Sequence, residues 1–96
     1  MRDKGEIFAD LVHIADKAKF TVKLVPFKTY CGRLKGDRIG LANWMDIDDL
    51  NYNLAHELAH AYLHYDKGDT INSDKNAEYE EQADRAAKLL LDALAL

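Results

Sequence analysis

One cysteine, Cys31, is all the thiol these 96 residues carry, and a single cysteine cannot build an intramolecular disulfide framework. No apolar run reaches the roughly 18 residues that a membrane-spanning helix needs, and no basic-then-apolar segment of the secretory kind opens the sequence. A reducing cytoplasm is the setting these absences lead us to expect. Repeats and low-complexity tracts are also missing, and the polar stretch 70–76 reads as a connector within one domain. Residues 1–96 are therefore taken as a single small domain, with apolar content for one core and little to spare.

Charge of either sign is plentiful but unevenly placed. Residues 1–40 hold nine Lys/Arg against five Asp/Glu, whereas residues 41–96 hold four against twelve. The first half could face an acidic partner. Its cations Lys17, Lys19, Lys23, Lys28, Arg33, Lys35 and Arg38 nevertheless alternate with apolar residues as solvated strand faces do, and no nucleic-acid-binding motif accompanies them, so direct nucleic-acid binding is not expected.

The periodicities give an α+β order. Ile7, Leu11, Ile14, Ala15 and Ala18 share a helical face over residues 5–19. Residues 20–25 are rich in β-branched types and end at Pro26, which suits a strand end or an edge. Residues 30–34 and 38–43 read as two further strands across the turn Lys35-Gly36-Asp37. The expectation is an N-terminal helix followed by a small three-stranded, mainly antiparallel sheet, with residues 39–43 either an ordinary buried strand or an edge able to pair with an extended peptide. Cys31 reads as a small strand residue. Asp46, Asp48 and Asp49 offer a cap and first-turn charge for a helix running from about 47 to 65, which Asp66-Lys67-Gly68-Asp69 would end. A last helix follows from about 77.

The first of these two helices carries His56-Glu57-Leu58-Ala59-His60. Residues four apart on a helix stand about 40° apart around its axis, with Cβ atoms roughly 5–6 Å from each other, so two imidazoles can converge on one ion. Glu57 lies about 100° from His56, beside the pair rather than within it. A general base for hydrolysis belongs there. Catalytic zinc usually takes a third protein ligand and keeps one position open. On the last helix Ala83, Ala86, Ala87, Leu90, Leu91 and Leu94 form the apolar arc; Glu80 falls about 50° from its centre and Glu81 about 150° away. An inward carboxylate needs a partner or a metal, which nominates Glu80. Asp84 shares its side of the helix and could accept a hydrogen bond from the outer nitrogen of a ligand histidine. The rival motif HExxHxxGxxH needs glycine at 63 and histidine at 66, where this chain has Leu63 and Asp66. His64, one turn beyond His60, reads as a helix-end histidine or a substrate contact.

HELAHAYLH at residues 56–64 and EEQADRAAKLLL at residues 80–91 resemble the ImmA/IrrE family of zinc metallopeptidases, which are similar to the thermolysin-like gluzincins in metal chemistry. The resemblance covers most of the chain. It implies a minimal zincin in which one Zn2+ per chain is held by His56, His60 and Glu80, with Glu57 as base and Asp84 supporting a ligand. It also implies a protein substrate, commonly a transcriptional repressor, and a prophage or mobile-element setting. The sequence departs from the family at Ala86, where many members carry an aromatic residue, and over residues 90–94, where many have a Leu-Met-Pro-like segment.

A zincin also needs a second electrophile for the developing oxyanion. Tyr62, His64, Tyr65 and Tyr79 are the candidates, and the sequence does not rank them. Two other readings stand beside peptide-bond hydrolysis. One is an inactive zincin-like domain that acts as a binding anti-repressor, and the other is a structural zinc domain with four protein ligands. Oligomeric state, substrate identity and the metal loaded in the cell are open at this level.

Overall fold

Ile7, Leu11 and Ala15 lie four residues apart and form the buried stripe of the first helix, α1 (Lys4–Lys17). It opens a computed structural model that describes residues 2–64 and 76–96. The helix stops because Lys19 turns left-handed, with φ at 71°. Its N–H then bonds the Asp16 carbonyl at 3.0 Å, and the N–H of Phe20 bonds that of Ala15 at 2.9 Å. This pair of bonds closes a helix end and redirects the chain, here straight into a strand.

Three short strands follow: β1 (Thr21–Val25), β2 (Gly32–Lys35) and β3 (Arg38–Ala42). A tight turn with Gly36 at φ 61° joins β2 to β3, a conformation glycine adopts without strain, and the two strands pair antiparallel. β1 does not pair with β2. It runs parallel to β3, so the sheet is mixed and its order is β1-β3-β2. One expectation is corrected by this: the sheet is not mainly antiparallel, having one pair of each kind. Of the two readings of residues 39–43 the edge is set aside, because β3 is the central strand. The reason is burial. Ile39, Leu41 and Ala42 are all buried, and the strand richest in such residues gains most from a neighbour on each side. The connection from Pro26 to Cys31 crosses the end of β3, fixed where Asn43 N–H bonds the Val25 carbonyl and Ala42 N–H bonds that of Cys31.

The second helix, α2 (Ile47–His64), is capped as its sequence implied: the Asp46 carboxylate accepts the Asp49 N–H at 2.9 Å. The third, α3 (Asn76–Leu94), packs chiefly on α2. Leu11, Ile39, Leu41 and Leu54 are the largest fully buried side chains, and they join α1, the sheet and α2 into one core. Among the described residues, α3 contributes to the buried set Ala83 and Ala87. Short side chains there let it lie close to α2, near enough for a glutamate to bridge the two. The expected end of the metal helix at residues 66–69 and most of the connector after it lie outside the described residues.

Candidate metal centre

Contacts between α2 and α3 form a ladder of four-residue steps. Glu80 of α3 meets His60 and His56 of α2, and Asp84, one turn on, meets Tyr52, one turn back, so the helices run antiparallel. Glu80 spans the top of the ladder. Its carboxylate oxygens lie 3.0 Å from His56 Nε2 and 3.0 Å from His60 Nε2, and the two Nε2 atoms are 3.1 Å apart. His60 is buried and His56 nearly so, while the Glu80 side chain keeps 47% of its exposure.

The donor set fits a zinc ion. Tetrahedral ligands at about 2.0–2.1 Å from a centre stand roughly 3.3 Å from one another, close to the 3.1 Å between the imidazole nitrogens and the 3.0 Å from each of them to one of the two Glu80 oxygens. Two imidazole nitrogens and a carboxylate at these separations form a ligand set for one cation. A single cation satisfies all three contacts. The outer nitrogen of His56, Nδ1, is buried with no hydrogen-bond partner among the described residues.

Glu57, next to His56 on α2, reaches the sheet. It is 9% exposed and lies against Gly32 of β2, where a Cβ would sit 3.4 Å from Glu57 Cγ and 3.5 Å from its Oε1. Burial, with the nearby Glu80 charge adding to it, pushes its pKa up to about 7. A carboxyl group held there can both take and return a proton near neutrality. Because β2 has β3 on one side only, the strand that touches Glu57 is an edge of the sheet.

One rung below the histidines, Asp84 accepts a short hydrogen bond from the Tyr52 hydroxyl and an ion pair from Lys88 at 3.0 Å. These two bonds hold the Asp84 carboxyl below the ordinary range, the Tyr52 bond foremost. The same bond, with burial and the Asp84 charge, raises the Tyr52 phenol to about 12. Asp84 is thus engaged by a tyrosine and a lysine, where the sequence suggested a histidine. Tyr52 packs its ring against His56, with centroids 5.7 Å apart. Sequence reasoning missed Tyr52. The signal was its place four residues before His56, on the same helix face, as an aromatic with a polar tip that needs a partner when buried.

Of the oxyanion candidates, Tyr62 is 90% exposed on α2 and Tyr79 is partly buried at the start of α3. The side chain of His64 and the whole of Tyr65 lie outside the described residues.

Comparison with known proteins bears on this arrangement directly. Residues 9–95 match the family model described as the IrrE N-terminal-like domain, a family of peptidases. Neither a search of curated proteins nor a search of solved structures gave a match. The matched span takes in both site helices, the sheet between α1 and α2, and every residue of the His-His-Glu cluster, and on that basis the chain belongs to the IrrE N-terminal-like family of metallopeptidases.

Proposed function

We propose that this domain is a zinc-dependent endopeptidase that hydrolyses a peptide bond in a protein substrate, a transcriptional repressor or regulator of a prophage or mobile element, in the cytoplasm. The observation that carries the proposal is the triangle of His56, His60 and Glu80 with the buried Glu57 beside it. When bound, zinc supplies a Lewis acid that polarises the scissile carbonyl and brings the pKa of a water toward neutrality. Glu57 takes the proton from the attacking water and returns it to the leaving amine, and its raised pKa suits both transfers. His56, His60 and Glu80 hold the ion, and Tyr52 and Asp84 fix the helix spacing that makes them converge. An extended substrate pairs with the open edge of β2, whose Gly32 lets the backbone come up against Glu57.

Glu57→Gln separates hydrolysis from the binding-only reading. We expect the zinc-loaded parent to cleave a mixed peptide library, followed by mass spectrometry, and Glu57→Gln to lose turnover by at least about a hundredfold while keeping its zinc. Equal cleavage by both chains would remove Glu57 from the reaction. No cleavage by either, together with undiminished biological effect of Glu57→Gln, would leave an anti-repressor that works by occupancy.

A further inference from the structure

The face of the sheet turned away from the helices is basic, aromatic and outside the metal centre. Cross-strand register fixes its members. Thr21 and Lys35 stand opposite Arg38, and Lys23 and Arg33 stand opposite Gly40, while the alternate residues Ile39 and Leu41 are buried on the core side. Lys23, Arg33, Lys35 and Arg38 therefore share one surface, all of them exposed. Among the described residues none of the four is in an ion pair. Like charges directly opposite, as Lys35 and Arg38 are, oppose sheet pairing, so folding alone gives no reason for this grouping.

Aromatic rings are built into the same surface. Phe27 lies across Gly40, where an added Cβ would come within 2.9 Å of the ring. Tyr30 meets Phe27 edge-on at 6.0 Å, and the Arg33 guanidinium sits 5.1 Å from the Tyr30 centroid. Trp44, 56% exposed, is tied to the same loop by its indole N–H on the Phe27 carbonyl. A guanidinium held over a ring keeps its N–H edge available for a carboxylate.

We propose that this outer sheet face is a docking surface for an acidic, extended segment of a partner protein. Charge complementarity favours a short acidic peptide over a nucleic acid. Four cations stand on one small sheet, whereas residues 41–96 carry four Lys/Arg against twelve Asp/Glu, so a long polyanion running from the sheet onto that half of the molecule would meet repulsion. Spacing favours an extended chain. Alternate residues of β2, Arg33 and Lys35, stand roughly 6–7 Å apart, the same period at which an extended peptide presents alternate side chains. Arg33 also follows Gly32, which touches Glu57. A segment seated on this face therefore adjoins the edge at which cleavage is proposed. That the partner is the substrate rests on the peptidase reading; the docking surface does not.

Fluorescence anisotropy with a labelled oligoglutamate peptide tests the surface without requiring cleavage. The parent chain should bind it with an affinity that falls as salt rises. Combined Lys23→Glu, Arg33→Glu and Arg38→Glu should weaken binding by at least about tenfold, with circular dichroism and zinc uptake confirming an intact fold. Arg85→Glu on α3 and Glu57→Gln should leave it unchanged, so a failure of catalysis would not register as a failure of docking. Absence of salt-dependent binding, equal binding by the folded triple variant, or tighter binding of a single-stranded oligonucleotide of the same charge would each overturn the proposal.

Discussion

Glu80 is the residue on which the site turns, since it brings α3 to the two histidines of α2. Its choice over Glu81 was legible from the helical wheel, and the difference is visible in the contacts: Glu81 instead pairs with Arg85 on the solvent side. His56, Glu57 and His60 were legible from spacing alone. Tyr52 was not, because a wheel tells which side of a helix a residue occupies but not what the neighbouring helix sets against it. Its hydroxyl makes a bond between α2 and α3 one turn below the His-His-Glu cluster. Tyr52→Phe keeps the ring against His56 and deletes that bond. Groups that support metal ligands are typically worth 10–100-fold in affinity, and we expect Tyr52→Phe to weaken zinc binding by about tenfold in a chelator competition. An unchanged affinity would reduce Tyr52 to packing.

Helices were easier to read than the sheet because their signals are local. α1, α2 and α3 begin and end within about two residues of the positions that periodicity and caps indicated, as far as the described residues extend. The β2–β3 hairpin was equally local, announced by Gly36. Pairing of β1 with β3 was not, since it is set by which strand the core buries most deeply and by a loop that crosses the sheet end. That is a tertiary effect, and the alternation within β1 carries no trace of it. The junction of α1 and β1 offers a test at the same scale. Lys19 holds a left-handed φ of 71°, which disfavours any side chain with a Cβ. Replacing it with glycine removes that strain and restores some unfolded-state freedom, for a net gain of about 0.5–1 kcal/mol in urea denaturation. A loss of stability would mean that the Lys19 side chain contributes contacts which outweigh the backbone strain.

Across the whole molecule, a single hydrophobic cluster unites three helices and the sheet, and Arg2 adds a tie from the start of the chain to the Leu94 carbonyl at the end of α3. A domain of 96 residues has a modest margin of stability. Its proposed ion would be held between α2 and α3, so an ion bound only by the folded state should raise the stability of the whole domain. Stripping zinc with a chelator should lower the thermal midpoint by at least about 5 °C, since about 1 kcal/mol moves a domain of this size by roughly 4–8 °C. His56→Ala should show no such chelator effect. Equal midpoints for the loaded and stripped parent would mean that the folded domain does not bind the ion tightly. The charge division between the two halves was also legible in the sequence, whereas its concentration on one sheet face needed the strand order.

The most direct test is the zinc content of the purified parent beside His56→Ala and Glu80→Ala, by elemental analysis after dialysis against a trace of chelator. The three-ligand site predicts close to one zinc per chain in the parent and marked loss in both variants. A parent that holds no zinc after reloading, or a Glu80→Ala variant that retains it fully, would contradict the site as described.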